Sequence, residues 1–299
     1  MTEGAPDGHR SGFACFVGRP NVGKSTLTNA LVGQKVAITS SRPQTTRHAI
    51  RGIVSRPDGQ LVLVDTPGLH RPRTLLGERL NDVVRTTWAE VDVVGFCVPA
   101  DQTIGPGDRY IASELASVVG RTPVIGVLTK TDLVGPEMIA QRLLDLQRLG
   151  EFAEIVPVSA TKGRQVSLLA DLLLARMPEG HPLYPDGELS DEPETTLIAE
   201  FVREAALEGV RDELPHSLAV VVEEMTPGKV LRIEAEIFVE RPSQKAIVIG
   251  RGGERLKDVG TRARTQIEAL LGTKVHLELF VKVAKDWQRD PRQLRRLGF

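Results

Sequence analysis

Over roughly the first 180 positions, apolar runs rich in Val, Ile and Leu alternate with stretches whose apolar residues recur at helical spacing. A period near 2 within the runs and near 3.6 between them predicts strands separated by helices, the pattern of an α/β unit with a mostly parallel sheet. The runs are "GFACFVG" (12–18), "AIRGIVS" (49–55), "QLVLVDT" (60–66), "VDVVGFCVPA" (91–100), "PVIGVLTKTD" (123–132) and "EIVPVSA" (154–160). The turn signal "RPDG" joins the second and third, which predicts an antiparallel hairpin at one sheet edge. Helices are expected over 24–33, near 108–119 and 137–149, and over 165–178, where Pro178 stops the last one.

From 179 to 194 the chain reads "EGHPLYPDGELSDEPE", rich in Pro, Gly and acids, and is expected to be a linker. A different pattern follows. Residues 195–210 read as a helix capped by Thr195 or Thr196, and 216–226 and 230–240 alternate as two strands joined by "PGK". A helix over 255–272 and a last strand over 274–283 complete a smaller α+β unit. The expected layout is a flexible 1–11, a nucleotide-binding unit over 12–178, the linker, and a second unit over 195–299.

A length of 299 residues with 41% apolar content suits two domains. Cys15 and Cys97 both lie in apolar runs, without metal or disulfide spacing, and are expected as buried thiols. No apolar leader and no run of 18 apolar residues occurs, so export and membrane spanning are not expected. The net charge of −1 conceals an asymmetry: residues 186–213 hold ten acids and two bases, and 241–299 hold fourteen bases and six acids. Such a basic region suits a polyanionic partner.

"GRPNVGKST", residues 18–26, follows a strand and opens a helix. It matches the phosphate-loop pattern, in which Gly18 and Gly23 let backbone N–H groups of Arg19, Pro20's neighbours, Asn21, Val22 and Thr26 approach phosphate oxygens. Lys24 neutralises β and γ phosphates and the Ser25 hydroxyl ligates Mg²⁺. In "DTPG", Asp65 serves the metal's outer shell and the Gly68 N–H reaches a γ phosphate, with Thr66 and Pro67 between them and Leu69 following. In "PQTTRH" (43–48), Thr45 or Thr46 offers a further hydroxyl to Mg²⁺. "TKTD" ends a strand with Thr129, Lys130 and Asp132; the aspartate can accept from the N1–H and exocyclic amine of guanine, a donor pair adenine lacks. "SAT" (Ser159, Ala160, Thr161) ends the next strand, where a backbone N–H meets the guanine carbonyl. Leu69 stands where many GTPases place a water-orienting glutamine, so that task must fall elsewhere. Arg47, Arg71 and Arg73 are expected as solvated surface rather than as arginine fingers.

"IVIGRGGERLK", residues 247–257, is a second glycine loop without the Gly-Lys-Ser ending. It has the form G-x-x-G, Gly250 to Gly253, between two helical stretches, as in KH domains that clamp about four nucleotides of a single strand. Arg251 and Gly252 form the tip, Arg255 and Lys257 follow, and Ile247 and Ile249 are placed either as a groove floor for bases or as core. Trp287 is either a stacking residue or an anchor for the tail.

Taken together, "GRPNVGKS", "PQTTRH", "DTPG", the guanine motif and a GxxG unit ending near "VKVAKDWQRD" resemble the Era family of bacterial GTPases over nearly the full length. The resemblance implies a phosphate-loop GTPase domain with one antiparallel edge strand, followed by a smaller α+β type II KH domain. It implies GTP hydrolysis with Mg²⁺, binding to the 3′ end region of 16S ribosomal RNA, and action in maturation of the 30S subunit. A monomer in the cytoplasm is expected, with peripheral membrane contact as an alternative. Relatives that use K⁺ hold it with the asparagine matching Asn21. One departure stands out: the family's guanine motif begins with asparagine, and Thr129 stands there, which puts nucleotide affinity in question more than guanine choice.

Overall fold

The computed structural model describes residues 8–39, 46–47, 49–69, 74–208 and 217–299, which form two compact units. The expectations for Thr45, Arg71, Arg73 and most of the N-terminal segment lie outside the described residues.

In the first unit a six-stranded sheet has the order β2-β3-β1-β4-β5-β6. Its strands are β1 (Arg10–Val17), β2 (Ile50–Arg56), β3 (Gly59–Asp65), β4 (Val93–Pro99), β5 (Val124–Thr129) and β6 (Glu154–Pro157). Only β2 runs antiparallel, paired to β3 from Ile50 opposite Asp65 to Arg56 opposite Gly59. Side chains alternate across each strand, so the sheet feeds two apolar layers. Ala14 and Phe16 of β1 join Leu27 and Leu31 of α1 (Lys24–Val32) and Leu169 and Leu173 of α5 (Val166–Leu174). Cys15 and Val17 join the opposite layer with α2 (Leu75–Glu90), α3 (Pro106–Val118) and α4 (Pro136–Gln147). Both cysteines are free and buried. Burial holds the Cys97 thiol as a neutral S–H, its pKa pushed up to about 12.

Helix α2 is an element the patterning above left out, yet its signal is present. Leu76, Leu80, Val84 and Trp88 fall at every fourth position and all are buried. Thr74 precedes it and its hydroxyl accepts from the Gly77 N–H at 3.2 Å, an N-terminal capping bond.

Residues 179–191 do not hang free. The Gln60 side chain receives the N–H groups of Leu183 and Tyr184 and donates to the Tyr184 carbonyl. Ile53 donates to Leu189, and Asp191 accepts from Arg51 and the Tyr184 hydroxyl. This segment covers the outer edge of β2, removing an open row of strand donors and acceptors.

The second unit is built on a three-stranded sheet, β7 (Ala219–Thr226), β8 (Leu231–Val239) and β9 (Val275–Val283), with β7 antiparallel and β9 parallel to β8. Its helices are α6 (Glu194–Leu207), α7 (Pro242–Ile249), α8 (Glu254–Leu271) and the short α9 (Pro291–Arg296). The N-cap of α6 is Pro193, not Thr195 or Thr196; helix begins at Glu194 because a proline has no N–H to leave unsatisfied there. Phe201, Val202 and Ala205 of α6 meet Ile233 and Ile237 of β8 and Val259, Ala263 and Ile267 of α8 in one core. Ile38 also lies in this core, and Thr39 next to it donates N–H and hydroxyl to the buried Glu204 carboxylate at 2.7 and 3.1 Å. Trp287 is an anchor: it is fully buried, donates its indole N–H to the Ser217 carbonyl at 2.9 Å and stacks on Phe299.

Candidate functional site

The sheet of the first unit delivers three loops to the carboxyl ends of the neighbouring strands β3 and β1 and of β5, on the far side of β4, where open α/β sheets bind ligands. Between β1 and α1, Gly18 (φ +155°) passes so near β4 that a Cβ would lie 2.5 Å from the Cys97 carbonyl oxygen. Gly23 (φ +100°) is the N-cap of α1 in the left-handed region, and Asn21 is left-handed as well. These turns aim the first-turn N–H groups of α1 into the loop, a ready anion cradle. Lys24 is buried, with its ammonium donating to the Gly18 and Arg19 carbonyls at 3.1 Å each. Burial lowers its pKa below the ordinary lysine value, against the pull of the Asp65 carboxylate.

The end of β3 meets this loop. Asp65 Oδ2 accepts from the Ser25 hydroxyl at 2.8 Å and from the Thr46 hydroxyl at 3.1 Å, and the two hydroxyls are 3.1 Å apart. A carboxylate with two hydroxyls is an all-oxygen donor set, the chemistry that Mg²⁺ selects, and it leaves room for phosphate oxygens as further ligands. A Cβ on Gly68 would sit 3.4 Å from Pro20 and 3.5 Å from the Lys24 nitrogen, so this glycine lies against the phosphate loop. Thr66 and Pro67 are buried beside it.

A pocket of about 200 Å³ adjoins the loop, lined by Gly23, Thr26, Thr129, Lys130, Asp132 and Ala160 among others. Its carboxylate is preset. The Ser159 hydroxyl donates to Asp132 Oδ1 at 2.6 Å and the Thr161 hydroxyl to Oδ2 at 3.3 Å. The Ser159 bond is the largest influence holding Asp132 below the usual carboxylate range, so it stays an acceptor. Thr129 donates its hydroxyl to the Val22 carbonyl at 2.6 Å. The shorter residue thus keeps the tie between the base pocket and the phosphate loop.

Two expectations change, and one side chain finds an unexpected partner. Leu69 does not face the phosphate region; it is 5% exposed in the apolar layer with Val17, Val64 and Trp88, where a branched alkyl chain gains most by burial. Arg47 is 3% exposed and not solvated surface. Arg19 turns its guanidinium away to Asp108 at 2.7 Å and Gln102 at 3.2 Å, pinning the loop to the start of α3. Asp108, almost fully buried, also accepts from the Gly105 N–H, a role the spacing alone did not reveal.

In the second unit the GxxG loop joins α7 to α8. Gly250, Gly252 and Gly253 all have positive φ, and a Cβ on Gly250 would lie 2.6 Å from the Arg255 Cβ, so glycine is required there by the turn itself. Open space surrounds the Cβ directions of Gly252 and Gly253. Arg251, Gly252 and Lys257 are exposed, and Ile247 is 51% exposed. Ile249 packs instead against the core. Arg255 is a correction to the expected RNA-facing set: its guanidinium turns inward to the Ala206 and Glu208 carbonyls at 3.1 and 2.7 Å, satisfying the end of α6.

Fold and loops together define the class: a phosphate-loop GTPase joined to a KH domain. Residues 13–130 match the family model described as 50S ribosome-binding GTPase, and residues 213–288 match that of the KH domain. GTPase Era of Streptomyces coelicolor is 68% identical over 303 residues, covering 97% of this chain and 95% of that protein. GTPase Era of a Nocardioides species is 66% identical, covering 99% and 98%. A crystal structure of Era in complex with MgGDPNP and nucleotides 1506-1542 of 16S ribosomal RNA superposes with a TM-score of 0.91 at 39% identity, covering 97% of this chain and 99% of that one. Aquifex aeolicus Era bound to GDP and AlF4⁻ gives 0.89 at 38% identity, with the same coverage. The chain belongs to the Era family of GTPases.

Proposed function

We propose that this chain is a GTP-operated switch that binds the 3′ end region of 16S ribosomal RNA through its KH domain and acts in maturation and assembly of the 30S subunit. The observation that carries this reading is the pairing, in one chain, of the Ser25–Thr46–Asp65 oxygen cluster with an exposed GxxG loop. It is supported by the solved Era complex, which holds both MgGDPNP and 16S ribosomal RNA.

In this reading the N–H groups of residues 18–26 hold the phosphates of GTP or GDP, and Lys24 supplies positive charge against the β and γ groups. Ser25 and Thr46 would hold Mg²⁺ with Asp65 in its outer shell; when bound, the ion neutralises charge developing on the phosphates. Gly68 offers its N–H to the γ phosphate, and Asp132 selects guanine, with Ala160 donating to the base carbonyl. Thr66, Pro67 and Lys130 shape the walls. Buried Leu69 orients no water, so the attacking water is positioned by backbone or by the RNA partner. Asn21, left-handed and exposed at the loop, is the proposed K⁺ contact. GTP turnover with RNA present is then expected to run severalfold faster in K⁺ than in Na⁺; equal rates remove Asn21 from this role.

Arg251, Gly250, Gly252 and Gly253 bring backbone and one cation to the RNA phosphates, while Ile247 offers an apolar surface to a base and Lys257 extends the positive edge. Gly252→Asp tests the clamp cleanly. Aspartate is among the residues that adopt positive φ more readily and nothing lies within 4 Å of the new Cβ, so the backbone strain is small, the fold is expected to survive, and phosphate repulsion is the added effect, with thermal melting to check the fold. RNA crosslinking is expected to fall severalfold; undiminished crosslinks would move the RNA site off this loop.

The protein is proposed to act as a monomer in the cytoplasm. Among the described residues no helix is long and apolar enough to cross a membrane.

A further inference from the structure

Several cations of the second unit are paired with acids. Arg232 pairs with Glu234 and Glu278, Arg262 with Glu208 and Asp258, Lys274 with Glu268, Lys282 with Glu236, and Arg203 with Glu200. The segment after β9 concentrates cations without such partners. Lys285, Arg289, Arg292, Arg295 and Arg296 are all exposed within twelve positions. Among the described residues none of the five makes an ion pair; Arg296 lies over the Phe238 ring at 5.6 Å. The two nearby acids do not cancel them. Asp290 uses its side chain as the N-cap of α9, accepting from the Arg292 N–H at 2.8 Å, and Asp286 stands alone against five cations.

This is a built surface. Trp287, Leu294 and Leu297 are buried beneath it, the Trp287 indole is hydrogen-bonded and stacked, and the Phe299 carbonyl accepts from Arg79 at 2.8 Å. Arg292 and Arg295 stand three apart on α9 and Arg289 lies in the short turn before it, so like charges that repel one another share a short stretch. A polyanion relieves that repulsion by displacing counterions.

We propose that this cationic face is a second RNA contact, taking the sugar-phosphate backbone beyond the nucleotides held at the GxxG loop; it rests on the RNA reading of the KH domain. A lipid surface fits less well. Helices that lie on membranes present bulky apolar residues beside their cations, whereas every large apolar side chain from 284 to 299 except the half-buried Phe299 is buried in the fold.

The test compares the full chain with the triple variant Arg289→Gln/Arg292→Gln/Arg295→Gln, checked by thermal melting. Two single-stranded RNAs are used: one of about four nucleotides, long enough for a KH clamp alone, and one several times longer. Expected is at least tenfold weaker binding of the longer RNA, with the slope of log affinity against log salt reduced by about 2, three phosphate contacts at about 0.7 each. The short RNA, followed by NMR shifts of Gly252 and Gly253, should bind both proteins equally. Wild-type affinity and slope for the longer RNA overturn the proposal, as does equal weakening of both RNAs. Sedimentation with anionic phospholipid vesicles, lost in the variant while RNA binding stays intact, would reassign the face to membrane. A wild-type protein that binds neither RNA removes the KH reading itself.

Discussion

Lys24→Ala is expected to lower GTP turnover by at least about 10³-fold while leaving the thermal melting point within a few degrees. The argument is electrostatic. The ammonium is held at 3.1 Å from two loop carbonyls in a buried site, so it is positioned before any nucleotide arrives and needs no reorganisation as charge develops. Loss of a single preorganised donor in such a site costs about 10²–10³ in rate, and a full positive charge beside a triphosphate is worth at least as much. Stability changes little because the alanine removes a buried charge along with its two hydrogen bonds, and desolvating that charge already opposed its burial. Steady-state phosphate release measures the effect; turnover within tenfold of wild type would take Lys24 out of the hydrolytic machinery.

Asp132→Asn is expected to weaken GTP and GDP binding by about 2 kcal/mol or more, roughly thirtyfold. Ser159 and Thr161 donate to both carboxylate oxygens, leaving the aspartate's remaining lone pairs aimed into the pocket. An amide there keeps the size of the side chain but turns one acceptor into an N–H₂ group, which then faces the hydroxyl donors on one side or the guanine amine on the other. Titration calorimetry with GDP reads this directly, and unchanged affinity would mean that guanine is recognised elsewhere. Because the Ser159 bond holds the carboxyl below its ordinary range, it stays ionised as pH falls through the range where free carboxylates protonate. Guanine binding should therefore persist through that window and weaken only at lower pH.

Sequence patterning reaches far in this chain where one physical period dominates. The alternation in β1 puts Ala14 and Phe16 on one face and Cys15 and Val17 on the other, and both layers are found as that period implies. The hairpin of β2 and β3 and the GxxG junction are equally direct, because turn residues and positive-φ glycines leave few alternatives. What escapes is decided by tertiary contacts. Whether Arg255 faces RNA or the end of α6, whether Arg47 is wet, and whether Leu69 borders the phosphates depend on which neighbours fold against them, and no spacing encodes that. Thr129 shows the same limit from the other side. Read alone it departs from the asparagine expected there, but its 2.6 Å bond to Val22 shows that a hydroxyl can span the distance when β5 and the loop are this close. The burial of Trp287, open between stacking and anchoring on sequence grounds, is settled by its partner at Ser217.

The central claim is that nucleotide state and RNA binding are coupled in one molecule. A ligand shifts a two-state protein only through its different affinity for the two states, and the coupling is reciprocal. Thr46, one of the hydroxyls proposed for Mg²⁺, follows Thr39 by seven residues, and Thr39 is fastened to Glu204 of α6 in the second unit. The decisive measurement is the affinity of the wild-type chain for one 16S 3′ end RNA in GDP and in a non-hydrolysable GTP analogue, at fixed salt and Mg²⁺. The expected result is a ratio of about fivefold or more between the two nucleotides, matched by an equal ratio for nucleotide binding with and without RNA. Identical RNA affinities in the two states would contradict the account, leaving a GTPase and an RNA-binding domain that share a chain without acting on each other.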